Sequence, residues 1–138
     1  MADTFTLEII TPQSVFTEKA VEYLSLETTR GAIGIMAHHT DMIAEVAICP
    51  MKIKTTMHET LYAISGGTLQ VIRDENKVKL FVYAIESSAN IDLARALRAK
   101  DIASSIVEKS TSPRDITRAQ IKIKRALNRI KVKEMNQP

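Results

Sequence analysis

The hydrophobic period of the chain changes near Ser87–Asn90, and one element cannot carry both periods. Before that point apolar residues recur at every second position, as in half-buried strands. From Ile91 onward they recur every third or fourth position, as on one face of a helix. Charge divides at the same place. Residues 1–88 carry seven basic against eleven acidic side chains, and residues 89–138 carry twelve against five. A mildly acidic β unit, 1–88, is therefore expected to precede a strongly basic helical unit, 89–138.

The first unit reads as short strands: FTLEII (5–10), AVEYLSLET (20–28), MIAEVAI (42–48), MKIKTT (51–56), TLYAIS (60–65), TLQVIR (68–73) and KVKLFVYAI (77–85). In the second strand, alternation sets Val21, Tyr23 and Ser25 against Glu22, Leu24 and Leu26. The two glycines of GAIGIMAHH (31–39) predict a sharp turn, Gly66-Gly67 a turn or bulge, and Asp74-Glu75-Asn76 a hairpin turn. Short strands at regular spacing indicate a sandwich or a barrel. With 4% aromatic residues and no Trp, aliphatic side chains must fill its core.

The second unit reads as two helices. The first spans about Ile91–Glu108, with Asn90 as a candidate cap and Ala96, Ala99, Ala103, Ile106 and Val107 on one face. After the link KSTS (109–112), Ser112 followed by Pro113 and Asp115 is a strong helix start. The second helix runs to about Glu134, with Ile116, Ala119, Ile123, Leu127 and Ile130 on one face. A short link favours an antiparallel hairpin. Its modest Ala/Ile core would let it dock or swing away without unfolding.

Several chemistries lack support. Cys49 has no second cysteine for a disulfide or a cysteine-based metal site, which suits a reducing compartment. No signal peptide and no apolar run long enough to cross a bilayer are expected. His38 and His39 are adjacent and so cannot share one strand face. With Asp41 they read as a turn rather than a metal site, and His58 stands alone. No nucleophile–base arrangement points to an enzyme; Gly66-Gly67 lacks the rest of a phosphate loop.

Two constellations carry the functional signal. Arg118, Lys122, Arg125 and Arg129 recur at steps of 4, 3 and 4, which aligns them beside the apolar stripe of the second helix. Taken alone they read as a solvated charged face. A nucleic-acid surface would need a stacking platform, and no aromatic residue follows Tyr83. On the first helix, Asp92 and Arg95 lie close to its alanine side. Asp92 could accept from a sugar hydroxyl or an amino group, while Arg95, Arg125 and Arg129 could grip phosphates. A nucleotide between the helices would cancel several like charges.

The ordered motifs LEIITPQSVF (7–16), VEYLSLETTRGAIGIMAHHT (21–40), ISGGTLQV (64–71) and IDLARA (91–96) closely resemble the epsilon-subunit family of F-type ATP synthases. The resemblance spans essentially the whole chain. It implies an α+β fold, an N-terminal antiparallel β-sandwich followed by a C-terminal antiparallel two-helix hairpin. It also implies a non-catalytic rotor subunit of the central stalk, peripheral to the cell membrane on its cytoplasmic side. The implied partners are the gamma subunit, the ring of c subunits and, with the hairpin extended, the alpha/beta catalytic head. No nucleic acid is implied, and the membrane is met only through the complex. In several bacterial members ATP, with or without magnesium, binds the folded hairpin and favours its retracted state. The matching positions here are Glu86, Ile91, Asp92, Arg95, Ala96, Arg125 and Arg129. Ile102 stands where those members carry a further basic residue, with Arg98 and Lys100 nearby, and Asp41 stands where relatives often have proline. Beside this reading stands a stand-alone nucleotide sensor or a basic nucleic-acid-binding module; co-purification with gamma separates them.

Overall fold

Among the described residues seven strands and two α-helices follow in chain order: β1 (Phe5–Ile10), β2 (Val15–Thr28), β3 (Gly31–Ile35), β4 (Met42–Thr55), β5 (Glu59–Ile72), β6 (Lys77–Val82), β7 (Ile85–Ser87), α1 (Leu93–Lys109) and α2 (Pro113–Met135). The structure is a computed structural model that describes residues 3–136. The chain divides into a unit ending at Ser87 and a unit beginning at Ser88.

Strand pairing in the first unit closes on itself, β1 beside β6, then β5, β4 and β2, with β2 returning to β1. A ring of five strands cannot alternate direction all the way round. The odd pair is β1 with β6, which run parallel with Thr6 opposite Lys77. The other strand pairings are antiparallel, as expected of the sandwich. Two of the three long strands change partners along their length, while β4 stays paired with β5 throughout. Strand β2 passes from β1 to β3, and β5 passes from β7 to β6.

The strands expected at 42–48 and 51–56 are therefore one strand running through Pro50, and those at 60–65 and 68–73 are one strand running through Gly66-Gly67. The glycine pair is where β5 leaves β7 for β6, rather than a turn. A Cβ on Gly67 would overlap the backbone carbonyl of Phe81 on β6, so only glycine lets the strands meet there.

Leu7, Ile9, Val21, Leu24, Ile35, Met51, Ile64, Leu69 and Leu80 fill the core and are all but inaccessible. Burying each such side chain stabilises the unit by about 1.5–3 kcal/mol before entropy is counted. Strict alternation placed Val21 and Leu24 on opposite faces, yet both are buried. The cause is a bulge: Val21 pairs with Thr55 and Tyr23 with Lys54, so Glu22 is an extra residue that reverses the phase. Leu26 joins the core for the same reason, and Tyr23 and Ser25 are displaced from it.

The Asp74–Glu75 turn is a single 3-10 turn ending at Asn76, which is left-handed at φ 49°. Asn76 joins three segments. Its Nδ2 donates to the Thr4 carbonyl at 2.7 Å, and its Oδ1 accepts from the His38 amide at 3.0 Å. Its backbone carbonyl accepts from the Thr6 amide at 3.2 Å. Asp41 steadies the same corner, its Oδ1 accepting from the Arg73 amide at 2.7 Å. His38 lies in the turn after β3 at φ 64°, and His39 in the irregular link that follows it. Cys49 is buried, its sulfur 3.4 Å from the Glu27 amide that donates to it.

In the second unit a 3-10 turn, Ser88–Asn90, precedes α1. The cap is Asp92 rather than Asn90, and α1 begins at Leu93. Ser112 caps α2 as expected, its Oγ accepting from the Asp115 amide at 3.3 Å, with Pro113 in the first turn. Ala96 and Ala103 of α1 and Ala119 and Ala126 of α2 are buried at seven-residue steps, and Asn128 and Val132 are buried on another side of α2. Small side chains allow close approach. The seven-residue steps Ile116–Ile123–Ile130 and Ala119–Ala126 flank the contact line. Leu127 falls to the other side of it and is 48% exposed, against the expected stripe. The Lys133 Nζ donates to the Ser88 carbonyl at 3.1 Å, tying the end of α2 to the turn before α1.

Candidate functional site

Asp92, Arg95, Ala99, Ile102 and Ile106 succeed one another on α1 at steps of 3, 4, 3 and 4, so they form one row along that helix. Arg118, Lys122, Arg125 and Arg129 form the corresponding row on α2. In an antiparallel hairpin the C-terminal end of the second row lies toward the N-terminal end of the first.

Between the rows lie two adjoining hollows. One, of about 350 Å³, is lined by Ala99, Ile102, Ala103, Ile106, Lys122, Arg125 and Arg129. The other, of about 670 Å³, is lined by Ile102, Ser105, Ile106, Lys109, Ser110, Asp115, Arg118, Ala119 and Lys122. They share Ile102, Ile106 and Lys122, so they form one groove with an aliphatic wall and a cationic wall.

Arg125 is half-buried, and its Nε is fully shielded from solvent with no hydrogen-bond partner among the described residues. A shielded guanidinium nitrogen left without an acceptor is costly. Arg125 also lines the smaller hollow, so its guanidinium adds positive charge to the wall of that space. Arg129, also half-buried, lines the same hollow.

Asp92 holds its place through the helix it starts. Its Oδ1 accepts from the Arg95 amide at 3.1 Å, the side-chain cap of α1. A carboxylate has acceptor sites to spare, so one bond to the helix leaves capacity for another donor. Asp92 and Arg95 are both exposed. Arg95 sits one turn before Ala99 in the row that continues into the groove wall.

Of the remaining expected positions, two belong to the second unit and one to the first. Ile91 is 3% exposed and Ala96 2% exposed, so both side chains are buried. Ala96 contributes by its small size, which lets α2 approach. Glu86 belongs to the first unit, half-buried in β7 where it pairs with Ala63 of β5. Ile102 is 64% exposed and lines both hollows, so the position where the resemblance implies a base is here an apolar wall.

Sequence reasoning missed two polar features of the hairpin, the Lys133–Ser88 tie and the buried Asn128. A lysine in a helix's last turn is a general signal for carbonyl contacts, though not for which carbonyl. Asn128 adjoins Arg129 on a face judged by hydrophobicity alone, so nothing marked it.

Residues 4–88 match the family described as ATP synthase, Delta/Epsilon chain, beta-sandwich domain. Residues 89–134 match ATP synthase, Delta/Epsilon chain, long alpha-helix domain. The chain is 37% identical over 132 residues to the ATP synthase epsilon chain of Caldicellulosiruptor bescii, which covers 96% of this chain and 95% of that one. It is 33% identical over 131 residues to the sodium-ion-specific ATP synthase epsilon chain of Propionigenium modestum, covering 95% and 94%. Its fold is similar to a chain in the mitochondrial ATP synthase of Euglena gracilis, with a TM-score of 0.76 at 18% identity, covering 88% of this chain and 76% of that one. A chain from the central stalk and c-ring of the Tetrahymena thermophila mitochondrial enzyme gives 0.65 at 14% identity, covering 96% and 98%.

Proposed function

The chain belongs to the epsilon-chain family of ATP synthase, and on that premise we propose that it works as a non-catalytic rotor subunit whose hairpin senses ATP. The β unit carries assembly, binding the gamma subunit and the ring of c subunits. The hairpin restrains ATP hydrolysis when it extends toward the alpha/beta head. ATP, alone or with magnesium, binds the closed hairpin and favours the retracted state. The subunit meets the cell membrane from the cytoplasmic side through the complex. Among the described residues no helix is long and apolar enough to cross a membrane.

The observation that carries the nucleotide reading is the groove, where Arg125 adds positive charge to the wall beside Arg129 and Lys122. Phosphate oxygens neutralise that charge, and Asp92 is placed on the row that leads into the groove, where it could take a ribose hydroxyl or an adenine amino group. Pulling the helices apart dismantles the groove, so ATP stabilises only the closed form. At a hundredfold excess over its dissociation constant a ligand with that selectivity contributes about 2.7 kcal/mol to closure.

Calorimetric titration of the purified chain with ATP tests this. One-to-one binding with a concentration-dependent rise in melting temperature is expected, and no binding at millimolar ATP overturns the nucleotide limb. Co-purification with gamma tests the assembly limb separately, and a folded chain that gamma does not retain overturns it.

A further inference from the structure

The cationic wall extends beyond what a mononucleotide needs. Arg118 and Arg129 lie eleven residues apart on α2, about 16 Å along the helix axis. A triphosphate held by Arg125 and Arg129 does not span that row. The larger hollow, about 670 Å³, lies at the link end of the hairpin and is edged by Lys109, Arg118 and Lys122, with Asp115 as its acidic side chain. Among the described residues, the side chains of Lys109, Arg118 and Lys122 make no hydrogen bond or ion pair. Lys122 faces both hollows, so the cations form a continuous line between the two ends. The like charges of Arg118 and Lys122, four residues apart on α2, repel one another, and an anion that follows the line relieves that repulsion.

We propose that the groove is a track for linear inorganic polyphosphate, with a second phosphate-binding subsite at its link end formed by Lys109, Arg118 and Lys122. The proposal goes beyond the nucleotide reading and rests only on its closed hairpin. The chemistry favours this ligand over a nucleic acid. The wall opposite the cations is Ile102 and Ile106, with no aromatic side chain on which a base could stack. A bare phosphate chain asks for nothing but charge-assisted donors in line, and successive phosphates act as linked ligands that reinforce one another.

The test uses the full chain at fixed ionic strength, titrated with tripolyphosphate, long-chain polyphosphate, ATP and a single-stranded oligodeoxynucleotide, with thermal shift as a parallel readout. Long-chain polyphosphate is expected to bind about tenfold more tightly per chain than tripolyphosphate. The double substitution Lys109→Ala with Arg118→Ala should erase that advantage and leave the ATP response unchanged, whereas Arg118→Lys alone should retain most of it. Circular dichroism confirms that the variants keep their helices. Equal affinity for the two phosphate chains overturns the proposal, as does an advantage that survives the double substitution. Oligodeoxynucleotide binding as tight as polyphosphate binding overturns it too. If ATP fails to bind while the long-chain advantage stands, the nucleotide reading falls and the polyphosphate track remains.

Discussion

The Arg95 amide donates to the Asp92 Oδ1 at 3.1 Å, so the carboxylate proposed to meet a nucleotide is also the cap that starts α1. The two duties separate by substitution. Asp92→Asn keeps a good cap, but its single carbonyl oxygen is then taken by the helix. Asp92→Ala loses the cap as well and should destabilise the hairpin by about 0.5–2 kcal/mol. Both are expected to weaken ATP binding, and thermal unfolding should distinguish them. Wild-type ATP affinity in Asp92→Asn would remove Asp92 from the site.

Arg95→Ala should weaken ATP binding by roughly ten- to a hundredfold, the loss of one charge-assisted contact worth about 1.5–3 kcal/mol. The control is Arg98→Ala, which lies off the row leading into the groove and should change affinity little. Equal ATP-induced thermal shifts in wild type and Arg95→Ala would count decisively against the arrangement.

Replacing Lys122, Arg125 and Arg129 together with Ala should relieve inhibition of ATP hydrolysis in the assembled enzyme, because an extended hairpin would lose its cationic face toward acidic surfaces of the head. ATP binding by the isolated variant is measured alongside, since the same change strips the groove. Hydrolysis that stays inhibited would refute this electrostatic account.

Gly67→Ala should destabilise the β unit by about 1–3 kcal/mol or more, because the added carbon meets backbone rather than a side chain able to rotate away. Denaturant unfolding measures it. A melting midpoint within error of wild type would show that β5 and β6 separate there without cost.

Tyr62 adds a pH dependence. Burial raises the pKa of its phenol above the ordinary tyrosine value of 10.0, the negative charge of Glu18 raises it further, and a hydrogen bond with Thr60 opposes them. Above that ordinary value the unfolded chain releases the proton while the folded chain keeps it, so stability falls as pH rises. Tyr62→Phe should flatten this alkaline decline in unfolding free energy. An identical decline in both proteins would assign it to other groups.

The division at Ser87–Asn90 was legible because two independent patterns, period and charge, change there together. The cap at Ser112 was legible because its signals are local. Leu24 and Leu26 were misplaced because the bulge at Glu22 is set by the partner strand β4, and a period-two pattern carries no record of it. Pro50 and Gly66 read as breaks, yet long strands run through them under the pairing of β4 with β5. At the site, the cation row and Asp92 were visible from spacing. The capping role of Asp92 was hidden by Asn90 two residues earlier, an equally plausible cap that the 3-10 turn occupies instead. The orphaned Nε of Arg125 depends on what encloses it, which no spacing along one helix encodes.

The parallel seam of β1 against β6 also sets the order in which the β unit can be made. As the chain emerges during synthesis, β1 can pair at once with β2, but its other edge stays open until Lys77–Val82 has been added. Joining Thr6 to Lys77 closes a loop that contains nearly the whole unit, the entropically slowest kind of contact to form. The Asn76 side chain that ties Thr4 to the turn beside His38 can act only after that point. Until the seam closes, the nascent subunit exposes an unpaired apolar edge carrying Leu7 and Ile9, which makes this interval of synthesis its period of greatest exposure to aggregation.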